Sequence, residues 1–192
     1  HSGVVTIGFI LTLYYASNII NSILNIFSKS YQIEVKRNPV KQRLVSLLLM
    51  IIITIMMLIG FSLILFSEEY LHDLIITYII DSEYVATAIN IIKWLAIILL
   101  FIISISTLYN TAHIRRKKWK ILSAGAFWAT GLIILSSLGF GMYIDNFGSY
   151  NKLYGSIGSL IVFLIWLNIS STILIMGFEL YAKTNTKPAG NE

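Results

Sequence analysis

The sequence predicts an all-α integral membrane protein, a polytopic bundle with five transmembrane helices. Of its 192 residues, 57% are apolar and only 12% are charged, whereas about 25% of the residues in an ordinary soluble domain are charged. Five continuous apolar windows are each long enough to cross a bilayer, which takes about 20 residues in a helix. Basic residues gather in alternate connections between these windows. Together these observations exclude a soluble globular domain and a disordered chain.

The predicted spans are the five apolar windows, which cover Val4–Phe27, Leu44–Phe66, Ala88–Tyr109, Ile121–Ile144 and Tyr154–Ala182. Many of their residues are β-branched, but a lipid-facing segment must satisfy every backbone N–H and C=O group internally, so a helix is expected. A transmembrane β-barrel would instead show short strands of alternating polarity. The absence of Cys excludes disulfides and thiolate metal sites.

The distribution of charge predicts the orientation. Twelve of the 14 Lys and Arg residues follow the first span, follow the third span or lie in the C-terminal tail, and six of the nine acidic residues lie in the other connections. The positive-inside rule then places the basic connections and the C-terminus in the cytoplasm. We expect one bundle over residues 1–182 and a cytoplasmic tail over 183–192. Because five crossings that end inside must begin outside, and His1 opens no signal peptide, we also expect at least one further span upstream.

Two shorter segments flank the second span. Asn38-Pro39 matches an N-cap followed by proline at the first helical position, so the second helix should begin there and enter the bilayer near Leu44. Beyond the span, apolar residues recur at helical spacing among acidic ones, namely Leu71, Leu74, Ile75, Tyr78 and Ile79. This pattern predicts an amphipathic helix on the outer face, or a lid over the bundle.

Polar side chains inside the spans are candidates for function, because they are costly in hydrocarbon. At about 100° per residue, one face of the first span carries Tyr14, Asn18, Asn21 and Asn25. One interpretation makes this face the wall of a hydrophilic cavity or a path for lipid headgroups. The other assigns it to interhelical hydrogen bonds, each worth about 1 kcal/mol.

The last span also has a polar face, formed by Asn168, Thr172 and Glu179 together with Ser171. Glu179 is the only acidic residue inside any of the five apolar windows. It is either a proton or cation site, or the partner of Lys183 one turn later, with its carboxylate at the membrane interface.

Small residues are frequent in the fourth and fifth spans. The spacings Gly125-xxx-Ala129 and Gly155-xxx-Ser159 allow two helix backbones to approach closely. The simple interpretation is close packing, and the alternative is that these glycines are hinges of a moving helix.

Three stretches of the last window and its flanks resemble the signature of the YihY/BrkB family of bacterial integral membrane proteins: Tyr154–Gly158, Leu164–Ser171 and Gly177–Leu180. Earlier landmarks are also similar, at Tyr15–Ser17, at Glu34 with Arg37, and at Ser123–Ala126, where the family's preceding proline is absent. The resemblance implies a polytopic helical protein with more spans than the five seen here. Members have been called ribonuclease BN, linked to serum resistance, and proposed as envelope lipid or solute transporters.

A nuclease would need carboxylates or histidines clustered around metal ions. The chain has only three His, without a His-x-His or His-x-x-x-His pair, and it has no phosphate-binding glycine loop or nucleophile elbow. We therefore expect no enzyme activity, no cofactor and no metal. The basic segment of Arg115, Arg116, Lys117, Lys118 and Lys120 is expected to contact anionic lipid headgroups, at about 1 kcal/mol per side chain. RNA is the less favoured partner of this segment.

The leading hypothesis is a passive or ion-coupled carrier of an amphipathic or lipid-like molecule. Its polar groove would lie between the first and last spans and would be lined by Tyr14, Asn18, Asn21, Asn25, Asn168, Thr172 and Glu179. Membrane lipids and a lipid-like or small-molecule substrate are the expected partners. The competing hypothesis is a non-transporting scaffold for envelope machinery, in which the polar faces only hold helices together.

Overall fold

Five long helices make up the structure, a computed structural model that describes residues 2–30, 38–78, 83–112, 122–146 and 156–185. The helices are α1 (Ser2–Ser30), α2 (Pro39–Tyr78), α3 (Glu83–Ala112), α4 (Ala124–Asn146) and α5 (Ser156–Asn185). Each contains a stretch of 22 to 27 residues that is long and apolar enough to cross a membrane. The described residues include no strand. The predicted all-α fold with five membrane-length helices is confirmed.

Helix α2 begins at the predicted residue, Pro39, and the Asn38 carbonyl accepts a 3.0 Å hydrogen bond from the N–H group of Gln42. Proline suits this position, because the N–H group it lacks would have no helical partner. The helix has 40 residues, a length of about 60 Å against a hydrocarbon core of about 30 Å. It therefore continues beyond its membrane-length stretch Pro39–Leu65. The predicted amphipathic helix is this continuation of α2 as far as Tyr78. Its side chains lie outside the described residues, so its place on the outer face stays a prediction.

The chain forms two compact units, His1–Arg116 and Lys117–Glu192. In the first unit α2 packs against both α1 and α3, and in the second unit α4 packs along α5. The assembly of residues 1–182 into a single bundle stays a prediction, as does the tail, although α5 itself continues to Asn185.

The buried core of the first unit lies toward the end where its basic connections begin. It consists of Leu24, Phe27, Leu49, Met50, Ile102, Ile105, Leu108, Tyr109 and Ala112. The rings of Phe27 and Tyr109 meet edge to face, with centroids 5.5 Å apart, which is a preferred aromatic geometry. Buried Ser17 and Ser46 donate hydrogen bonds to carbonyl oxygens of their own helices at 2.8 and 3.0 Å. Their hydroxyl groups are therefore satisfied without a partner on another helix.

Helix α4 starts with a side-chain cap at Ser123, which the sequence pattern did not predict. The Ser123 hydroxyl accepts a hydrogen bond from the N–H group of Ala126 at 3.2 Å, and its carbonyl oxygen accepts one from Phe127 at 3.0 Å. A serine in this position satisfies one of the N–H groups that the first turn of a helix leaves unpaired.

The close approach of α4 to α5 depends on Gly125. A Cβ atom at this position would contact the Gly177 carbonyl oxygen and would lie 2.7 Å from both the N and Cβ atoms of Tyr181. Ala126 and Ala129 are also buried on this side of α4. The predicted packing role of Gly125-xxx-Ala129 is confirmed, whereas Gly155 lies outside the described residues.

Candidate functional site

The polar face of α1 contacts the first turns of α2. Gln42 is the residue that joins the two helices, because its Nε2 atom donates hydrogen bonds to the Oδ1 atoms of Asn21 and Asn25, at 2.9 and 2.5 Å. Asn25 is exposed, whereas Asn21 and Gln42 are half-buried. Two of the three predicted asparagines therefore accept interhelical hydrogen bonds from one amide group.

The rest of this face holds the guanidinium group of Arg43. Its Nη1 atom donates to Asn18 Oδ1 at 3.3 Å, and its Cζ atom lies 4.6 Å from the centroid of the Tyr14 ring. That distance is within the range of a cation–π interaction. We call Tyr14, Asn18, Asn21, Asn25, Gln42 and Arg43 the α1–α2 polar cluster.

Sequence reasoning missed two members of the cluster, Gln42 and Arg43. Arg43 is one of the twelve basic residues that predict the orientation, and it was given no other role. Gln42 was not considered. A signal was available. Gln42 is the only amide side chain between Pro39 and Leu65, and an antiparallel hairpin places the start of its second helix beside the end of its first.

The polar face of α5 differs in its hydrogen bonding. Thr172 is exposed, and its hydroxyl group donates to the main-chain carbonyl oxygen of Asn168 at 2.9 Å. Asn168 is exposed as well, and its side-chain amide has no hydrogen-bond partner within the described part of the chain. Glu179, two turns further along, is half-buried, and both interpretations of its role stay predictions.

The second unit also buries polar atoms that the sequence analysis did not single out. Trp166 stacks on Phe140 with ring centroids 5.3 Å apart, which places it against α4. Its Nε1 atom, Ser170 Oγ one turn later on α5 and Thr130 Oγ1 on α4 are buried and lack a hydrogen-bond partner among the described residues. Such atoms are unusual in folded proteins, where most buried donors are paired.

The structure does not describe all of the predicted site residues. The basic segment from Arg115 to Lys120 lies outside the described residues, and its contact with lipid stays a prediction. In the ranges that the structure describes, no group of three or more His, Asp or Glu side chains could hold a metal ion. The predicted groove draws on α1 of the first unit and α5 of the second, and it too stays a prediction.

Five membrane-length apolar helices, some with polar side chains, define the class of protein, a polytopic integral membrane protein. Residues 1–191 match the family described as virulence factor BrkB. The chain belongs to this family, and the resemblance seen in the sequence is confirmed.

Three relatives illustrate the similarity. The ribonuclease-like protein YfkH of Bacillus subtilis strain 168 is 32% identical over 183 residues, which are 95% of this chain and 66% of YfkH. A UPF0761 membrane protein of Pseudoalteromonas translucida strain TAC 125 is 32% identical over 39% of this chain and 25% of its own length. A UPF0761 membrane protein of Vibrio cholerae El Tor N16961 is 29% identical over 54% of this chain and 35% of its own length.

The chain therefore matches 66% of the length of YfkH and smaller parts of the other two relatives. No solved structure is significantly similar to it.

Proposed function

We propose that the chain belongs to a carrier that moves an amphipathic, lipid-like molecule across the bacterial plasma membrane. The path would follow the polar faces of α1 and α5, and its lining would comprise Tyr14, Asn18, Asn21, Asn25, Asn168, Thr172 and Glu179. The observation that carries this proposal is the side-chain amide of Asn168, which lies on an exposed face of α5 and has no hydrogen-bond partner among the residues that the structure describes.

The position of Asn168 along α5 places its amide where the lack of a hydrogen-bond partner would be costly. It is ten residues into the 27-residue apolar stretch Gly158–Thr184, or about 15 Å along the helix at 1.5 Å per residue. This depth is near the middle of a hydrocarbon core of about 30 Å. Transferring an amide from water to an apolar medium without a hydrogen bond costs roughly 2–7 kcal/mol. A polar path, in which a substrate headgroup or water supplies the partner, removes that cost.

The orientation of the carrier follows from its charges. Lys29 lies in the last turn of α1 and Lys183 in the last turn of α5, and both are exposed. Basic residues at these helix ends support a cytoplasmic C-terminus.

A second candidate function is the scaffold, and the α1–α2 polar cluster favours it. All three asparagines of α1 accept hydrogen bonds from α2, so on this helix pair the polar face contributes to helix association. A scaffold needs no more than that, but it leaves the amide of Asn168 unexplained.

Reconstitution tests the carrier. Purified protein is placed in vesicles of phosphatidylethanolamine and phosphatidylglycerol that contain a trace of fluorescent phospholipid, and dithionite bleaching measures lipid exchange between the leaflets. We expect exchange above that of empty vesicles and at least a fivefold loss in Asn168→Leu. Ser137→Ala is the matched control, because this hydroxyl donates to Ile133 of its own helix and lies outside the proposed path.

If the wild-type protein exchanges no lipid of any headgroup class, the scaffold is favoured instead. Glu179→Gln addresses ion coupling, because unchanged transport at unchanged expression would exclude a proton site at this residue.

A further inference from the structure

The guanidinium group of Arg43 has no counter-ion in the part of the chain that the structure describes. Acidic residues are absent from the sequence of α1 and from α2 before Glu68. Arg43 is half-buried and lies one turn into α2, at the end of the helix where basic residues cluster. Its neighbours are an aromatic ring and an amide, which hold the guanidinium group in place but do not neutralise it.

The orientation of Asn18 strengthens this positive site. Arginine donates hydrogen bonds and cannot accept them, so the atom that Asn18 turns toward Arg43 must be its carbonyl oxygen. The amide NH₂ group of Asn18 is then left without an acceptor within the described ranges. Arg43 itself has further N–H groups, because only Nη1 is engaged by Asn18. Around Arg43 the unsatisfied polar atoms are therefore donors, some on the positively charged guanidinium group and others on the neutral amide of Asn18.

Arg43 lies near the start of the membrane-length stretch Pro39–Leu65. A positively charged site with free hydrogen-bond donors at this position suits an anionic ligand. Guanidinium groups bind phosphate through paired, charge-assisted hydrogen bonds. We propose that Arg43, positioned by Tyr14 and Asn18, binds the phosphate group of an anionic lipid headgroup. The inference rests on the proposed function in that it names the chemical group which the polar face of α1 would hold. Its test measures binding at equilibrium and does not depend on transport.

The primary experiment uses the whole purified chain, delipidated in a neutral detergent. Native mass spectrometry titrates it with short-chain phosphatidylglycerol and, in parallel, with phosphatidylcholine of the same chain length. We expect phosphatidylglycerol to bind at least tenfold more tightly, and Arg43→Gln to remove at least nine tenths of this preference. Lys41→Gln is the matched control, because it removes the same charge from an exposed position two residues away, and it should change the preference by less than twofold.

Asn18→Asp keeps the test decisive if Arg43→Gln fails to fold. A carboxylate at position 18 would form an ion pair with the guanidinium group of Arg43 and would compete with the lipid phosphate. We expect a melting temperature at least as high as that of the wild type, together with the same loss of phosphatidylglycerol binding. Equal binding of phosphatidylglycerol by the wild type, Arg43→Gln and Asn18→Asp would overturn the proposal, as would equal affinity for the two lipids.

A competition arm identifies the source of the phosphate. If millimolar inorganic phosphate displaces phosphatidylglycerol in an Arg43-dependent way, the site recognises phosphate itself and accepts it free in solution. If it does not displace the lipid while the Arg43 dependence holds, the site requires a membrane lipid. Binding without transport in the vesicle assay would leave this site in place and contradict only the carrier.

Discussion

The pairs α1–α2 and α4–α5 each consist of two membrane-length helices, but a different kind of interaction holds each pair together. Side-chain hydrogen bonds connect α1 to α2, where Gln42 and Arg43 donate to three asparagines. In the second pair the backbones approach closely, because Gly125 has no Cβ atom to collide with Gly177 and Tyr181. Both means of association are expected in lipid, where apolar side chains gain little by leaving one apolar medium for another.

The two pairs also differ in which polar side chains already have partners. The asparagine side chains of α1 contribute to association of α1 with α2, whereas α5 associates with α4 through small residues and keeps Asn168 unpaired among the described residues. A polar residue on a helix that already packs by other means is the stronger candidate for a substrate contact.

The largest expected effect comes from filling the glycine contact. Gly125→Ala places a Cβ atom 2.7 Å from Tyr181 N and Cβ, so we expect the free energy of unfolding to fall by about 2 to 3 kcal/mol, as in other overpacked sites. Unfolding in mixed detergent micelles measures it. Gly131→Ala is the matched control on the same helix, because no atom lies within 4 Å of the added Cβ. An equal loss in both variants would contradict the close contact.

The hydrogen bonds of the α1–α2 polar cluster should contribute less to the free energy of unfolding than the glycine contact does. Gln42→Leu removes the donor shared by Asn21 and Asn25, and we expect a loss of about 1 to 2 kcal/mol, the range for interhelical hydrogen bonds in membranes. A double-mutant cycle with Asn21→Leu should return a coupling of about 1 kcal/mol. Strict additivity of the two changes would mean that the bond contributes nothing to stability.

A smaller loss of stability is expected when the cap of α4 is removed. Ser123→Ala removes the hydroxyl acceptor for the N–H group of Ala126, which should cost about 1 kcal/mol. Ser137→Ala removes a hydroxyl that bonds only within its own helix and should cost less. The two variants are compared by the same unfolding measurement, and a reversed order would argue against the cap.

The smallest effect on stability is expected at Asn168. Because its amide has no partner among the described residues, Asn168→Leu should leave the free energy of unfolding within about 0.5 kcal/mol of the wild type, as is usual away from packed or bonded sites. The same variant should lose transport. A marked loss of stability would show that the amide holds helices together, as the asparagines of α1 do.

Several features could be predicted from residue order alone. The apolar windows indicated five helices, Asn38-Pro39 marked the start of α2, and the spacing of Gly125 and Ala129 indicated a close helix contact. These features depend on interactions between residues near in sequence, or on the solvent that surrounds a whole helix. The full length of α2 was not predicted, because the apolar window ends at Phe66 and the helical spacing beyond it was assigned to a separate amphipathic helix.

The partners of the polar residues could not be predicted in the same way. Periodicity placed Asn18, Asn21 and Asn25 on one face of α1, but two interpretations of that face stayed open. Only the packing of α2 against α1 showed that Gln42 and Arg43 donate to it. The cap at Ser123 and the buried atoms beside Trp166 also escaped sequence reasoning, because each depends on local geometry or on a neighbouring helix.

Residue order alone establishes that this is a membrane protein, that five helices of membrane length occur in the part of the chain that the structure describes, and to which family its motifs are similar. Apolar length and charge distribution suffice for that, since the bilayer acts on each segment separately. Packing between helices establishes which polar groups find partners. It paired the asparagines of α1 with α2, brought Gly125 against Gly177, and left the amide of Asn168 unpaired among the described residues, because hydrogen bonds and close contacts require two helices in register.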